Sequence, residues 1–141
     1  MMPDVPKYAD VHVGNELPKL DKPAIDRVQL ALYAGASGDH NAIHLDDDKA
    51  RAGGLPGVIA HGMLSMAFLG QLVGNWVPQA RIRGLGGRFA SIVKPGDVVS
   101  CRGIITAKNE VDGENQVEVE ITAETAGGER AIVGKATVAL D

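Results

Sequence analysis

The second half of the chain alternates apolar and polar positions with the period of a β-strand. From Val117 to Glu124 every apolar residue is followed by a polar one, which indicates a half-buried strand with one face in water. Asp112-Gly113 precedes this segment and Gly127-Gly128 follows it, and both pairs are typical of hairpin turns. Further strands are predicted over 79–89, 98–107 and 130–140. Together they predict an antiparallel meander.

The first half shows helical spacing instead. Asp26 precedes apolar residues at that spacing and is predicted to be the N-cap of a helix that ends before Asp39. A second, short helix is predicted after Asp46, where acidic residues come first, basic residues follow, and Gly53-Gly54 ends the segment. This order suits the helix dipole.

A third helix is predicted from Ala60 to Val77, ended by Pro78. It is apolar nearly all round: Met63, Leu64, Met66, Ala67, Phe68, Leu69, Leu72, Val73 and Trp76. A helix with this pattern is expected to be buried on every face. In a chain of 141 residues, that requires a curved sheet around the helix, helped by a partner subunit. The pattern therefore predicts an α+β fold in which an antiparallel sheet wraps one long buried helix.

Composition narrows the function classes. The chain is 45% apolar and 23% charged, as in globular proteins, and its length fits one domain over residues 1–141. A net charge of −4 without basic runs argues against a nucleic-acid partner. We find no apolar leader in residues 1–10 and no uninterrupted apolar stretch of membrane-spanning length. By default this predicts a cytoplasmic protein with no membrane partner.

Cysteine usage excludes two further kinds of site. The chain has a single cysteine, Cys101, so an intramolecular disulfide and a Cys-rich zinc site are both excluded. Cys101 lies within a predicted strand and is expected to be an inert core residue.

Polar side chains with catalytic chemistry concentrate between the first two helices, over residues 38–44. Asp39 and His44 are five positions apart, and a bent loop can direct both at one point. A carboxylate and an imidazole together offer a base and a proton carrier at neutral pH. The alternative is that Asp39 only caps a turn and that His44 packs with its ring nitrogens satisfied. The residues alone leave both interpretations open.

A second candidate lies at the start of the third helix. The first N–H groups of a helix lack internal partners and carry partial positive charge. Gly62 has no side chain to obstruct them, so its N–H is a candidate donor to an oxyanion. The alternative is that Gly62 only allows close packing. For the neighbouring His61, a buried structural hydrogen bond is expected in preference to catalysis.

These segments are similar to a known family. YAGASGDHNAIHLD over 33–46 and GVIAHGM over 57–63 closely resemble the MaoC-like family of the hotdog fold, the (R)-specific enoyl thioester hydratases and 3-hydroxyacyl thioester dehydratases. The resemblance covers nearly the whole chain and is strongest from about residue 23 to 96. Some members carry a supporting serine on the buried helix at the position of Gly70, and Ser65 is not its clear equivalent.

The resemblance implies a mechanism. Asp39 and His44 would hold a water that adds across the C2=C3 bond of a trans-2-enoyl thioester, with their separate roles left open. Gly62 N–H would bind the thioester oxygen, and Asn41 would orient the loop or the water. No metal and no cofactor are implied.

The resemblance also implies partners. The substrate would be an acyl-CoA or acyl-carrier-protein thioester, and the protein would be a homodimer, since a single sheet leaves an edge that a second copy can pair. Two alternatives remain: an acyl-CoA thioesterase of the same fold, or one subunit of a heterodimeric dehydratase with a related chain.

Overall fold

The computed structural model describes residues 4–141, so the first three residues of the segment searched for a leader lie outside it. The helices are α1 (Arg27–Ser37), α2 (Asp47–Ala52) and α3 (Gly62–Trp76). The strands are β1 (Leu20–Asp21), β2 (Ile82–Phe89), β3 (Val99–Val111), β4 (Glu114–Thr125) and β5 (Arg130–Ala139). Short 3₁₀ turns cover Tyr8–Asp10, Ala42–His44 and Gln79–Arg81. Within residues 4–141, no helix combines the length and the apolar character needed to cross a membrane.

The five strands form one antiparallel sheet in the order β1-β3-β4-β5-β2. The β3–β4 hairpin closes through Asp112 and Gly113, whose φ angles of 52° and 80° are both positive. This is the conformation that a two-residue hairpin favours and that an Asp-Gly pair supplies. The predicted antiparallel meander is confirmed for β3, β4 and β5. The strand β2 departs from it, because it pairs with β5 and not with β3, the next strand along the chain. The first predicted strand begins later than expected, because Gln79–Arg81 forms a 3₁₀ turn before β2.

The core lies between the sheet and α3. Val117, Val119 and Ile121 alternate along β4 and are fully buried, so the period of two in the sequence corresponds to one buried face of the sheet. Cys101 of β3 is also fully buried, which confirms its predicted place in the core. This sheet is the support on which α3 and the segment before it are held.

Local capping fixes where the two N-terminal helices begin and end. The Asp26 carboxylate accepts a hydrogen bond of 2.7 Å from Gln29 N–H, and the Asp46 carboxylate accepts one of 3.0 Å from Lys49 N–H. Gly38 ends α1 in the left-handed region at φ 77°, where glycine has no Cβ penalty. The predicted N-cap Asp26 is confirmed, and α1 ends before Asp39 as expected. The predicted short helix is also confirmed, and Asp46 is its N-cap.

The single chain buries α3 on one side only, so its burial on every face with the help of a partner subunit stays a prediction. Its buried residues lie on the side that faces the sheet: Leu64, Ser65, Phe68, Leu69, Leu72 and Val73. Met63, Ala67 and Gln71 form an exposed stripe on the remaining side, and Met63 is 56% exposed. A five-stranded sheet curves around only part of the helix, so hydropathy alone overestimates how much of it one chain covers.

Candidate active site

The loop between α1 and α2 is shaped by two consecutive side-chain caps. The Asp39 carboxylate accepts a hydrogen bond from Asn41 N–H at 3.3 Å. Asn41 in turn accepts one from Ile43 N–H at 3.2 Å and caps the 3₁₀ turn Ala42–His44. The loop thereby turns inward, and His44 at its end is only 7% exposed. Asp39 does cap a turn, as the simpler interpretation expected, and its second oxygen remains free for His44.

His44 is held in one orientation by the backbone. Its Nδ1 lies 2.8 Å from the carbonyl oxygen of Ile59. A carbonyl only accepts hydrogen bonds, so Nδ1 carries the proton and Nε2 of the neutral ring carries the lone pair. Nε2 lies 3.6 Å from Oδ2 of Asp39, whose side chain is 51% exposed. The structure therefore brings Asp39 and His44 together, with an imidazole lone pair and a carboxylate close to each other.

The segment that carries Ile59 is itself fixed on both sides. Ile59 N–H donates to the carbonyl of Ile43 at 3.1 Å, and Ala60 N–H donates to the carbonyl of Val93 at 2.7 Å. The first bond joins the segment to the loop that carries His44, and the second joins it to the turn after β2. The two halves of the site therefore keep a fixed relation to each other.

Helix α3 begins at Gly62, beside this pair. As the first helical residue, Gly62 has an N–H without an intrahelical acceptor, and His61 before it gives no side-chain cap. A Cβ at Gly62 would lie 2.9 Å from Cε1 of Phe89. Glycine is thus required for the close approach of the Phe89 ring, and it leaves the helix N-terminus open.

A cavity of about 290 Å³ opens at this helix end. Its lining consists of His44, Ile59, Ala60, His61, Gly62, Ser65, Phe89, Ala90, Ser91, Ile92, Val93, Ala131 and Ile132. Of the residues predicted from the sequence, His44 and Gly62 line it. Asp39 and Asn41 are not lining residues; Asp39 lies beside His44, and Asn41 caps the turn that carries it.

His61 completes the polar group. Its Nε2 lies 3.1 Å from the carbonyl oxygen of Asp39, which confirms the expected buried hydrogen bond. Its ring stacks on that of His44, with centroids 3.8 Å apart and planes 23° apart. Burial lowers the pKa of His61 from its ordinary value, and the neighbouring His44 lowers it further, although the Asp39 carbonyl opposes this shift.

Asp39, His44 and His61 each offer a ligand atom, and these atoms lie within 4.8 Å of one another. A tetrahedral metal site needs its nitrogen lone pairs to converge on one point. The stacked rings instead hold their lone pairs in two nearly parallel planes, 23° apart, and His44 Nδ1 and His61 Nε2 are already bonded to carbonyls. The arrangement suits proton transfer better than metal binding.

Phe89 and Ser65 line the cavity and are among the residues that were not predicted as site residues. The sequence offers no signal for Phe89, because glycines interrupt the alternation of β2. Ser65 follows Gly62 by three positions, close to one helical turn, and this spacing could have placed it on the same face. Gly70, where some family members carry a serine, lines a second cavity with Gly74, Gln79, Ile82 and Leu85. Two serines line the first cavity, Ser65 on α3 and Ser91, whose hydroxyl donates to the carbonyl of Arg130.

Comparison with known proteins identifies the family. The sequence model of the MaoC like domain matches residues 11–127. The chain belongs to the MaoC-like dehydratase family. An (R)-specific enoyl-CoA hydratase from Rhodospirillum rubrum is 32% identical to this MaoC-like chain over 116 residues, which cover 81% of the chain and 78% of that protein.

Solved structures agree on the fold of this MaoC-like chain. The unliganded R-hydratase PhaJ1 from Pseudomonas aeruginosa matches with a TM-score of 0.82 and 28% identity, covering 96% of this chain and 86% of that one. The predicted α+β hotdog fold is confirmed.

The beta subunit of fatty acid synthase from Saccharomyces cerevisiae is 32% identical over 104 residues, or 69% of this chain, but the match spans only 5% of that much longer protein.

Proposed function

We propose that this MaoC-like protein catalyses the reversible hydration of trans-2-enoyl thioesters to (R)-3-hydroxyacyl thioesters, carried by coenzyme A or an acyl carrier protein. The observation that carries the proposal is the hydrogen bond from His44 Nδ1 to the Ile59 carbonyl. It leaves a basic nitrogen facing Asp39 at the edge of a cavity. The name of the Rhodospirillum rubrum relative supports the thioester substrate and the (R) product.

In the proposed reaction, a water lies between the Asp39 carboxylate and His44 Nε2. Nε2 removes a proton from the water as its oxygen bonds to C3 of the enoyl group, and the C2=C3 electron pair moves toward the thioester carbonyl. The imidazolium that forms, stabilised by Asp39, then delivers a proton to C2. The pair thus ends in its starting protonation state. No electron is transferred to or from the protein, so the scheme uses no redox cofactor.

The negative charge that develops on the thioester oxygen needs a donor. Gly62 N–H is proposed for this role, because it lies at the start of α3, where partial positive charge accumulates. His44 and Gly62 line the same cavity, so one substrate can reach both. Asn41 takes a supporting role by capping the turn that carries His44.

The walls of the cavity suit an acyl chain. Ile59, Ile92, Val93 and Ile132 line it together with Phe89, and Phe89 is 56% exposed at its mouth. An apolar lining with a few directed polar groups is the usual form of a small-molecule site. It supports an acyl thioester over a strongly charged substrate.

We also propose a homodimer that pairs through β2. Within residues 4–141, β2 is bonded to β5 alone, so its outer edge is unpaired. Leu85 is 37% exposed on this strand and Phe89 lies at its end, and the Met63 stripe of α3 is open as well. An exposed apolar edge strand invites pairing with a second copy. Sedimentation equilibrium of the purified protein tests this, and a monomer at micromolar concentration would contradict it.

The proposed activity is tested by incubating the protein with crotonyl-CoA and with a medium-chain trans-2-enoyl-CoA. We expect loss of the enoyl absorbance and, on chiral analysis, (R)-3-hydroxyacyl-CoA. The same substrates attached to an acyl carrier protein form a second arm. Release of free thiol without hydration would replace the proposal with a thioesterase, and inactivity of the folded protein in every arm would overturn it.

A further inference from the structure

His61 is the most deeply buried polar group beside the proposed catalytic pair. Only 1% of its surface is exposed. It contacts residues from three elements: Asp39 from the loop, His44 from the 3₁₀ turn and Tyr33 from α1. The Tyr33 ring packs edge-on against the His61 ring, with the ring centroids 4.8 Å apart. Among the residues the structure describes, its Nδ1 is buried without a hydrogen-bond partner.

These contacts define the protonation state of the ring. Nε2 faces a carbonyl oxygen, so it carries the proton, and Nδ1 carries a buried lone pair. A second proton on Nδ1 would place a positive charge where no described group accepts its hydrogen bond. It would also lie against the His44 ring, which in the proposed reaction becomes positively charged itself. The titratable groups that face His61 are Asp39, His44 and Tyr33, and of these only the Asp39 carboxylate favours its charged form.

We propose that His61 is a positioning residue that stays neutral throughout the reaction. Its Nε2–H fixes the backbone of Asp39, and its ring face holds the plane of His44. Because His61 carries no charge, the histidine stack holds one positive charge at most, and that charge belongs to His44. The inference rests on the proposed function for its catalytic consequence, but the neutrality of His61 is a property of the free protein.

The catalytic consequence is tested with two variants. His61→Phe keeps a ring for stacking and removes the donor, whereas His61→Gln keeps a donor and removes the ring. We expect His61→Phe to lower kcat about tenfold or more with KM changed less than about threefold, and His61→Gln to recover part of that loss. His12→Gln is the control, because His12 is exposed and does not line the cavity. Wild-type kcat in a folded His61→Phe protein would overturn the positioning role.

The pH profile separates positioning from a purely structural role. If His61 never titrates during the reaction, kcat/KM of the wild type falls toward acid pH with a slope of one proton. His61→Gln keeps that slope even if its rate is lower. A slope of two in the wild type that becomes one in His61→Gln would show that both histidines titrate, and would overturn the proposal.

A third measurement does not depend on activity. A histidine whose pKa is lowered by folding binds its proton more readily in the unfolded chain, so the folded state loses stability as pH falls below the ordinary histidine value. Urea unfolding between pH 7.5 and 5.5 should therefore show a larger loss for the wild type than for His61→Gln. Equal losses would overturn the neutrality of His61. If the wild type is inactive but loses more stability toward pH 5.5 than His61→Gln does, only the proposed reaction is overturned, and the neutrality of His61 stands.

Discussion

The loop-built site and the sheet on which it rests are organised by opposite principles. In the sheet, Val117, Val119 and Ile121 are fully buried and apolar, and each contributes through the water it excludes. At the site, Asp39 is half exposed, His44 and His61 are buried and polar, and each group is held by a hydrogen bond to the backbone. Stability and catalysis therefore depend on different residues. A substitution at the site should change activity more than the unfolding free energy, and a substitution in the sheet should do the reverse.

The largest effect is expected for Asp39→Asn. An amide can still cap the turn, but it neither stabilises an imidazolium nor holds water as a carboxylate does. We expect kcat to fall by about 10²–10⁴, with the unfolding free energy changed little. Asp48→Asn is the matched control, because the Asp48 side chain is 98% exposed on α2 and forms an ion pair with Arg51. If the two variants hydrate enoyl-CoA equally fast, the site is misassigned.

The converse effect is expected for Ile121→Ala in β4. Removal of a fully buried side chain leaves a cavity beneath α3, and the unfolding free energy should fall by about 2–5 kcal/mol. Activity per folded molecule should change much less. Glu120→Ala, at the exposed neighbouring position of the same strand, should stay within about 0.5 kcal/mol of the wild type. Urea titrations of both variants measure the unfolding free energy. If the two variants lose similar amounts of it, the assignment of buried and exposed faces to β4 is contradicted.

A smaller effect is expected for Gly62→Ala, where the site meets the sheet. The added Cβ would lie 2.9 Å from the Phe89 ring, and Phe89 is exposed enough to move. We expect the displaced ring to narrow the cavity and to lower kcat/KM about tenfold, with stability nearly unchanged. The double variant Gly62→Ala with Phe89→Leu should recover part of the loss. If kcat/KM does not recover in the double variant, the loss comes from a change in α3 and not from displacement of the Phe89 ring.

The smallest effect is expected at the polar margin of the sheet. Two hydrogen bonds of 2.9 Å from Arg83 hold Glu114. Together with a weaker contribution from the Gln116 amide, they lower the pKa of Glu114 to about 2. The folded state therefore gains stability from this carboxylate at pH values above the ordinary glutamate pKa of 4.5, and it loses that stability as the pH falls toward 2. Arg83→Gln should flatten this part of the stability profile slightly, because both side chains are partly exposed and screened. Thermal melts at pH 3 and pH 6 measure the difference.

Most of the fold could be predicted because its signals are local. The alternation over 117–124 depends only on the two faces of a strand, and Asp26 and Asp46 cap helices that begin one residue later. The position of α3 was predicted correctly, whereas its burial on every face, expected with the help of a partner subunit, stays a prediction. Hydropathy shows that Met63 and Ala67 are apolar, whereas their exposure depends on how far the sheet curves around the helix.

The site could be predicted only in part, for the same reason. Asp39 and His44 are five residues apart in one loop, so the sequence can show them as a pair. The stack of His61 on His44 and the approach of Phe89 to Gly62 join segments 17 and 27 positions apart. Such contacts follow from the packing of α3 on the sheet, which no local pattern specifies.

The central claim is that His44 exchanges a proton with water at this site, and the most direct test is the initial rate of crotonyl-CoA hydration by wild type and His44→Gln. The two proteins are compared at equal folded concentration, with His12→Gln as the control. We predict (R)-3-hydroxybutyryl-CoA from the wild type and the control, and a rate lower by about 10²–10⁴ in His44→Gln. A folded His44→Gln protein that hydrates crotonyl-CoA at the wild-type rate would contradict the account.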